Sequence, residues 1–333
     1  MTHDDIEPRS VATGSRLGAG LGFAVLSAMS FGLSGSFAKG LLDAGWSAGA
    51  AVAVLVTIAA LVLAIPAAVS LRGRWSLLRR NLPLIMGYGL VAVAGCQLAY
   101  FNAVMHMQVG VALLIEYTAP VAVVGWLWLR HGQRPSLLTL AGAAVAAVGL
   151  VLVLDLISGA DLSALGVFWA LLAMVGAATY FVLSANEDNG LPPLVLAAGG
   201  LTLGAAALLL AGLAGVVEMS WSDSPVVYSG VTVAWWLPLL GLGVVTAAVA
   251  YVTGIAASRR LGSRLASFTA LLEVLFALAF AWLLLDELPR AVQFLGGALI
   301  LVGVVVVKLG ERDTALAGPA VPAAPATEVV TER

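Results

Sequence analysis

Long apolar stretches separated by short polar connections run along most of the chain. Residues 135–154, 162–186 and 291–307 carry no charged side chain, and each is close to the ~20 residues that a helix needs to cross ~30 Å of hydrocarbon. The pattern predicts an all-α integral membrane protein with ten transmembrane helices. The predicted spans are residues 17–37, 47–69, 82–104, 109–129, 136–154, 165–185, 192–215, 232–256, 264–285 and 290–308.

The second half of the chain repeats the first. A shift of 154 residues superposes Ala103 on Ala257, Ala112 on Ala266, Trp128 on Trp282, Pro135 on Pro289, Gly142 on Gly296 and Gly149 on Gly303. Near the start of each half the shift is 145, because the connections differ in length. We therefore predict two five-helix repeats, residues 17–155 and 164–309, between tails at 1–16 and 310–333 that are predicted to be disordered.

An odd number of spans in each repeat has a topological consequence. The second repeat has to cross the membrane in the opposite sense to the first. Inverted repeats of this kind are typical of secondary transporters, whose substrate sites lie near the bilayer midplane between the repeats. The architecture alone therefore favours transport.

Composition supports this prediction and excludes other classes. Of the 333 residues 61% are hydrophobic and 10% charged, with a mean hydropathy of +1.04, whereas a soluble domain carries about 25% charge. Cys96 is the only cysteine and the three histidines are scattered, so we expect neither a disulfide nor a zinc centre. The sequence has no phosphate-binding G-x-x-x-x-G-K-[ST] loop and no catalytic constellation. We therefore predict no cofactor and no enzyme.

The distribution of basic residues predicts the orientation. If the N-terminus is cytoplasmic, alternate connections place 14 of the 16 Lys and Arg residues inside and leave only Lys39 and Arg290 outside. Basic residues concentrate on the cytoplasmic side of membrane proteins, so both termini are predicted to be cytoplasmic. The basic connection at residues 72–80 is predicted to meet lipid headgroups, not nucleic acid.

Three stretches resemble a known family. They are VGVALLIEYTAPVAVV (109–124), LGSRLASFTALLEVLFALAFAWLLLDELP (261–289) and QFLGGALILVGVVVV (293–307). With the duplicated five-helix unit, they are similar to the fourth, ninth and tenth spans of the EamA family of the drug/metabolite transporter superfamily. Glu116, Tyr117, Thr118 and Pro120 resemble the form found in amino-acid exporters of the threonine and homoserine type. The likeness covers residues 17–309.

The resemblance implies a central cavity, lined mainly by helices 1, 3, 4, 6, 8 and 9, that moves small polar metabolites, frequently outward. The chain departs from the family at two places. Val274 follows Glu273 where proline is common, which puts the expected kink in doubt. Asp286 and Glu287 stand where the family commonly has Gly-Glu.

Glu116 and Glu273 are the candidates for the chemistry of transport. An ionised carboxylate at mid-bilayer costs about 3 kcal/mol, so such groups usually face the bundle interior or a wet cavity. Either can pair with a substrate ammonium or carry a coupling proton. The alternative is a structural hydrogen bond to a neighbouring helix. Pro120 adds a local polar patch because it leaves the Glu116 carbonyl without its usual N–H donor.

Further residues are predicted to shape the pocket by their helical spacing. Small-molecule sites combine apolar and aromatic walls with a few hydrogen-bonding groups. The predicted substrate-binding set is Glu116, Glu273, Tyr100, Gln97, Tyr117, Trp169, Tyr180, Thr253 and Thr269. For each polar or aromatic member, simple packing between helices is the alternative.

The leading functional hypothesis is export of a small amino acid or related metabolite by alternating access across a bacterial inner membrane. Its partners would be the small-molecule substrate, the lipid bilayer and a coupling proton or ion. Efflux of cationic, drug-like compounds is an alternative, since carboxylates and aromatic walls suit it equally well. A non-transporting membrane scaffold or sensor is a third hypothesis.

Overall fold

The computed structural model of the protein describes residues 8–106, 115–133, 135–153, 163–286 and 290–316. The predicted start of the fourth span, residues 109–114, and the outer parts of both predicted tails lie outside this description. The helices are α1 Pro8–Asp43, α2 Ala48–Leu71, α3 Ser76–Arg80, α4 Leu82–Gly87, α5 Cys96–His106, α6 Ala119–His131, α7 Leu137–Val153, α8 Ala164–Ser184, α9 Pro193–Leu213, α10 Trp236–Gly241, α11 Ala250–Thr269, α12 Leu272–Leu285 and α13 Ala291–Leu316. Two π-helical segments, π1 Tyr88–Gly95 and π2 Leu242–Val249, join α4 to α5 and α10 to α11, and two strands are β1 Val226–Tyr228 and β2 Val231–Val233.

Seven helical stretches in the described part of the chain are long and apolar enough to cross a membrane, and α6, α7 and α12 are shorter apolar helices. A multi-pass, mostly helical fold is therefore confirmed. The first and last helices begin and end inside the segments predicted to be tails, at Pro8 and Leu316. The predicted gap between spans 8 and 9 is a single non-helical residue, Gly262, with φ 76° and ψ 161°.

The helix boundaries reproduce the repeat. A shift of 154 residues carries the start of α4 onto α10, π1 onto π2, α5 onto α11 and α7 onto α13. The shared π-helical segments are notable, because π turns are rare inside helices and occur frequently at functional sites. Local irregularities, and not only apolar residues, are thus duplicated.

Equivalent helices of the two repeats pack against each other in opposite directions. A Cβ atom added to Gly142 would lie 2.8 Å from the carbonyl oxygen of Gly303, and one added to Gly149 would lie 2.6 Å from that of Gly296. Along this contact, residue numbers increase in α7 while they decrease in α13, so the two helices run antiparallel. This antiparallel contact agrees with inverted repeats, and small residues allow it because the two backbones touch.

The ends of the helices lie on two faces of the helix bundle. On one face, here called the Arg-rich face, Arg16 Nη2 lies 2.5 Å from Glu187 Oε1 and Asn81 Nδ2 donates to the Asn189 carbonyl at 3.0 Å. On the other, the hairpin face, Trp46 Nε1 donates to the Ser222 carbonyl at 2.7 Å. The connections on each face are those that the predicted topology places together.

A β-hairpin on the second face corrects the expectation of an all-α fold. Val226 pairs with Val233 and Tyr228 with Val231, and the turn residues Ser229 and Gly230 have φ of 43° and 77°, the left-handed values that tight hairpin turns require. The Tyr228 hydroxyl donates to the Phe37 carbonyl at 2.9 Å. Burial raises the pKa of Tyr228, so the phenol stays protonated as a donor.

Replacing Gly303 with alanine should destabilise the fold by about 1–3 kcal/mol, the usual effect of overpacking. The new Cβ would lie 2.7 Å from the Ala146 Cβ and backbone nitrogen. Gly125→Ala is the matched control, because nothing lies within 4 Å of a Cβ there. Thermal unfolding of the detergent-solubilised protein measures both effects. An unchanged Tm for Gly303→Ala would contradict the close packing of α7 on α13.

Candidate functional site

Turns lie at equivalent places in the two repeats. Residues 117–118 form a turn that precedes α6, and residues 270–271 form a turn between α11 and α12. Pro120 explains the first break, since it has no N–H for the Glu116 carbonyl and lies in the first turn of α6, where proline is tolerated. The second break occurs without a proline. The expected interruption of the ninth span is present despite the Val274 substitution.

Both candidate carboxyl groups lie at these breaks. Glu116 is helical and directly precedes the first turn, and Glu273 lies in the first turn of α12. The N-terminus of a helix carries a partial positive charge that favours a nearby carboxylate. Each repeat therefore places one acid beside the start of a half-helix.

Glu116 lies between α5 and α8. Its Oε1 atom is 3.6 Å from the Cys96 sulfur, which is also 3.4 Å from the Ala173 carbonyl oxygen. The thiol has a single hydrogen and can donate to only one of these acceptors at a time. Gly176 allows this approach, because a Cβ there would lie 2.6 Å from the Cys96 Cβ. Glu116 itself is half-buried.

Glu273 connects the second break to the first. The Tyr117 side chain lies beside its carboxyl group, and Glu116 acts on it electrostatically. Helix α1 packs closely at this point, since a Cβ on Gly32 would lie 2.9 Å from the Glu273 carbonyl oxygen. The two acids, here called the carboxyl pair, thus belong to one cluster contributed by both repeats.

The carboxyl pair has no basic partner in the part of the chain that the structure describes. Cys96 acts on Glu116, whereas Tyr117 and Glu116 act on Glu273. Arg16 and Glu187, in contrast, form an exposed ion pair on the Arg-rich face. Burying a carboxylate without a compensating charge is costly, so the pair needs a proton or another cation to offset its charge.

Gln97 and Tyr251 form a polar contact beside this pair. The Gln97 side chain lies beside the Tyr251 hydroxyl, and the Tyr251 ring also contacts the Tyr88 ring, with 6.4 Å between centroids. Nine residues of regular α-helix would place Tyr88 and Gln97 on opposite faces. The π1 segment lies between them, and its wider turns bring both side chains towards Tyr251.

An aromatic layer separates the carboxyl pair from the Arg-rich face. This layer, here called the tyrosine cluster, consists of Tyr88, Tyr180, Tyr251 and Phe31. Ring centroids lie 5.8 Å apart for Tyr88 and Tyr180, 5.8 Å for Tyr180 and Tyr251, and 5.2 Å for Phe31 and Tyr251. Tyr88 and Tyr180 each lie within two turns of the helix end on that face. The cluster thus closes the bundle there.

Two other predicted aromatic residues lie on the opposite side of the carboxyl pair. Tyr100 is within electrostatic reach of both Glu116 and Glu273. With Trp169 it packs around the buried Ala103 and Ala170. The structure thus brings both residues near the site as apolar walls.

The two predicted threonines are turned towards their own helix. Thr253 is buried and donates to the Val249 carbonyl at 2.7 Å. Thr269 is buried and lies 2.9 Å from the Ala266 carbonyl and 3.0 Å from that of Leu265. Neither hydroxyl hydrogen is left for a substrate.

Sequence reasoning missed three residues of the site: Cys96, Tyr88 and Tyr251. The repeat contains a signal for Tyr251, because a shift of 154 places it on Gln97, its partner in the structure. Tyr88 could not be found by helical spacing, since π1 changes the phase. A lone cysteine carries no pattern that would assign Cys96 to Glu116.

The described residues contain no group of three His, Cys, Asp or Glu side chains that could hold a metal ion. An apolar cavity of about 230 Å³ borders both breaks, with Tyr117, Thr118, Phe268 and Leu271 among its lining residues. Close-packed interiors resist movement, so this space gives the two breaks room to rearrange.

Comparison with known proteins gives matches to the chain as a whole. The EamA-like transporter family matches residues 18–155 and again residues 164–309. An uncharacterized transporter of Archaeoglobus fulgidus is 30% identical over 208 residues, which cover 62% of this chain and 70% of that protein. A protein crystal structure superposes with a TM-score of 0.71 and 23% identity over 90% of this chain and 99% of the other, a likeness in fold.

Proposed function

The chain belongs to the EamA-like transporter family, and we propose that it exports a small amino acid or a related amine-bearing metabolite by alternating access. The membrane would be the cell inner membrane. The substrate would bind between the two repeats, at the carboxyl pair. The observation that carries this proposal is the pair of acids without a basic partner in the described chain.

A substrate ammonium group supplies the charge that the site lacks. It can hydrogen-bond both carboxylates and replace the proton that otherwise neutralises them. Tyr117 keeps Glu273 in place, and the Cys96 thiol contacts Glu116 at 3.6 Å. Gln97, Tyr100, Trp169 and Tyr180 would form the walls around the remainder of the substrate.

The same two acids provide a route to coupling. Protons and the ammonium group compete for one pair of carboxylates, so occupancy by one excludes the other. An inward proton gradient would then drive outward movement of the substrate, with the protonated pair returning across the cycle. This exchange requires no nucleotide and no cofactor.

We further propose that both termini and the Arg-rich face are cytoplasmic. The support is the excess of Lys and Arg on that side, 14 of 16 in the predicted topology. The hairpin face, which carries Tyr228 and Ser229, would then be external.

Efflux of lipophilic cations is the second candidate. The tyrosine cluster favours it, because aromatic faces attract organic cations and three tyrosine rings lie within 6.4 Å of one another. A flat, apolar cation would contact this layer more extensively than a small amino acid does.

Counterflow in proteoliposomes tests the transport proposal. Vesicles are loaded with one unlabelled amino acid, and uptake of the same labelled solute is followed. Glu116→Gln should lower the initial rate by roughly tenfold or more, the cost of one charge-assisted hydrogen bond. Glu218→Gln, whose exposed carboxylate accepts from the Ser220 hydroxyl at 3.1 Å on the hairpin face, is the control and should transport normally. Equal flux in Glu116→Gln would remove this residue from the site.

Cysteine labelling tests the orientation. In a Cys96→Ala background, a membrane-impermeant maleimide added to intact cells should label Ser229→Cys in the hairpin but not Arg74→Cys in the connection to α3. Ser229 has a positive φ and lies in the exposed turn. The opposite labelling pattern would invert the proposed topology.

A further inference from the structure

Several buried donors on the Arg-rich side of the tyrosine cluster have no hydrogen-bond partner among the described residues. They are the Tyr88, Ser184 and Ser258 hydroxyls and the Nε and Nη2 atoms of Arg259. Tyr88, Ser184 and Ser258 are 1% exposed or less. Buried polar groups are normally paired, and an unpaired one costs about 1–3 kcal/mol. Several such groups at one place offer hydrogen-bond donors to a ligand.

These four residues, here called the Arg259 cluster, lie together. Tyr88 is adjacent to Ser184 and within electrostatic reach of Arg259. The Tyr180 hydroxyl packs on Gly254, and α8 and α11 both run towards the Arg-rich face. Ser184 and Ser258 each lie four residues, about one helical turn, further along these helices, and Ser258 adjoins Arg259 in the sequence.

The free atoms of Arg259 form one edge of the guanidinium group. Nη1 donates to the Leu191 carbonyl, which fixes the orientation of the side chain. Nε–H and Nη2–H remain, and this pair of parallel donors matches the two oxygens of a carboxylate. Glu187 acts on Arg259 only through its charge, since its carboxylate pairs with Arg16 at 2.5 Å.

We propose that the Arg259 cluster binds the carboxylate of the substrate when the Arg-rich face opens. In the present conformation the donors are shielded from solvent, so the site is closed. Arg259 lies eight residues beyond Tyr251 along α11, about 12 Å further along the helix axis, and Tyr88 belongs both to the Arg259 cluster and to the aromatic layer that covers the carboxyl pair. The cluster is therefore an entry site, distinct from the central one, that selects substrates carrying an acid group as well as an amine.

The proposal extends the proposed function, because the anion it holds belongs to the transported molecule. It also makes the tyrosine cluster a barrier between two sites of opposite charge. A zwitterion can be held at its carboxylate by Arg259 and afterwards at its ammonium by the carboxyl pair. A lipophilic cation gains nothing from the first site.

Acetate binding to the full-length protein in phosphatidylcholine nanodiscs tests this inference. Tm is measured against sodium acetate, with sodium chloride at equal ionic strength as reference. Acetate should raise Tm saturably, since a ligand that binds only the folded state stabilises it. Arg259→Lys should raise the apparent Kd about tenfold, because lysine lacks the parallel donor edge.

Two further variants keep the test decisive. Arg260→Lys is the matched control, since Arg260 donates to the Ala256 carbonyl at 2.8 Å and lies over the Phe23 ring. It should bind acetate as the wild type does. Ser184→Ala removes one unpaired hydroxyl, so the ligand-free protein should be no less stable while acetate binding weakens severalfold.

Three results would overturn the proposal: no saturable effect of acetate, an equal effect in Arg259→Lys and Ser184→Ala, or stabilisation by inorganic phosphate without any by acetate. The last would indicate a phosphate or lipid headgroup site. Because the readout is binding and not flux, failure here leaves the carboxyl pair and the transport proposal intact. Absence of counterflow would likewise leave the acetate result standing.

Discussion

Two carboxyl groups held inside an apolar bundle, with no basic side chain against them in the described chain, are the constraint on which the site depends. Such a pair is stable only with a proton or a cation beside it. Its surroundings reflect that need: half-helix N-termini, the Tyr117 hydroxyl and the Cys96 thiol all act on the two acids. None of these neighbours supplies a full positive charge.

The inverted repeat is what brings the two acids together. Each repeat has a turn beside its acid, at residues 117–118 and 270–271. Broken backbone is tolerated inside a membrane only where protein or a cavity surrounds it. The antiparallel contact of α7 with α13 holds the two repeats together. The duplicated π segments turn polar side chains of α5 and α11 towards the centre of the bundle. Symmetry thus produces a shared site from two single breaks.

Periodicity predicted a multi-pass, mostly helical membrane fold with two repeats, because burial in lipid demands long apolar runs. It also found the glycines of α7 and α13 and the two central acids. The direction in which each side chain points around its helix could not be predicted in the same way. The π segments change the angular spacing of the residues within them, and the second turn, at residues 270–271, has no proline to mark it. The hairpin at residues 226–233 depends on contacts with Phe37 and Leu283, which are distant in sequence.

The central claim is that the carboxyl pair binds a ligand and does not hold the bundle together. Thermal unfolding of the ligand-free protein tests this claim most directly, with the variants Glu116→Gln, Glu273→Gln and the double variant. Glutamine keeps the volume and an acceptor for Cys96 and Tyr117 but removes the charge. We predict that all three variants are at least as stable as the wild type, with non-additive effects because the acids interact. A Tm several degrees lower in each would show that the two acids are structural and would contradict the proposed site.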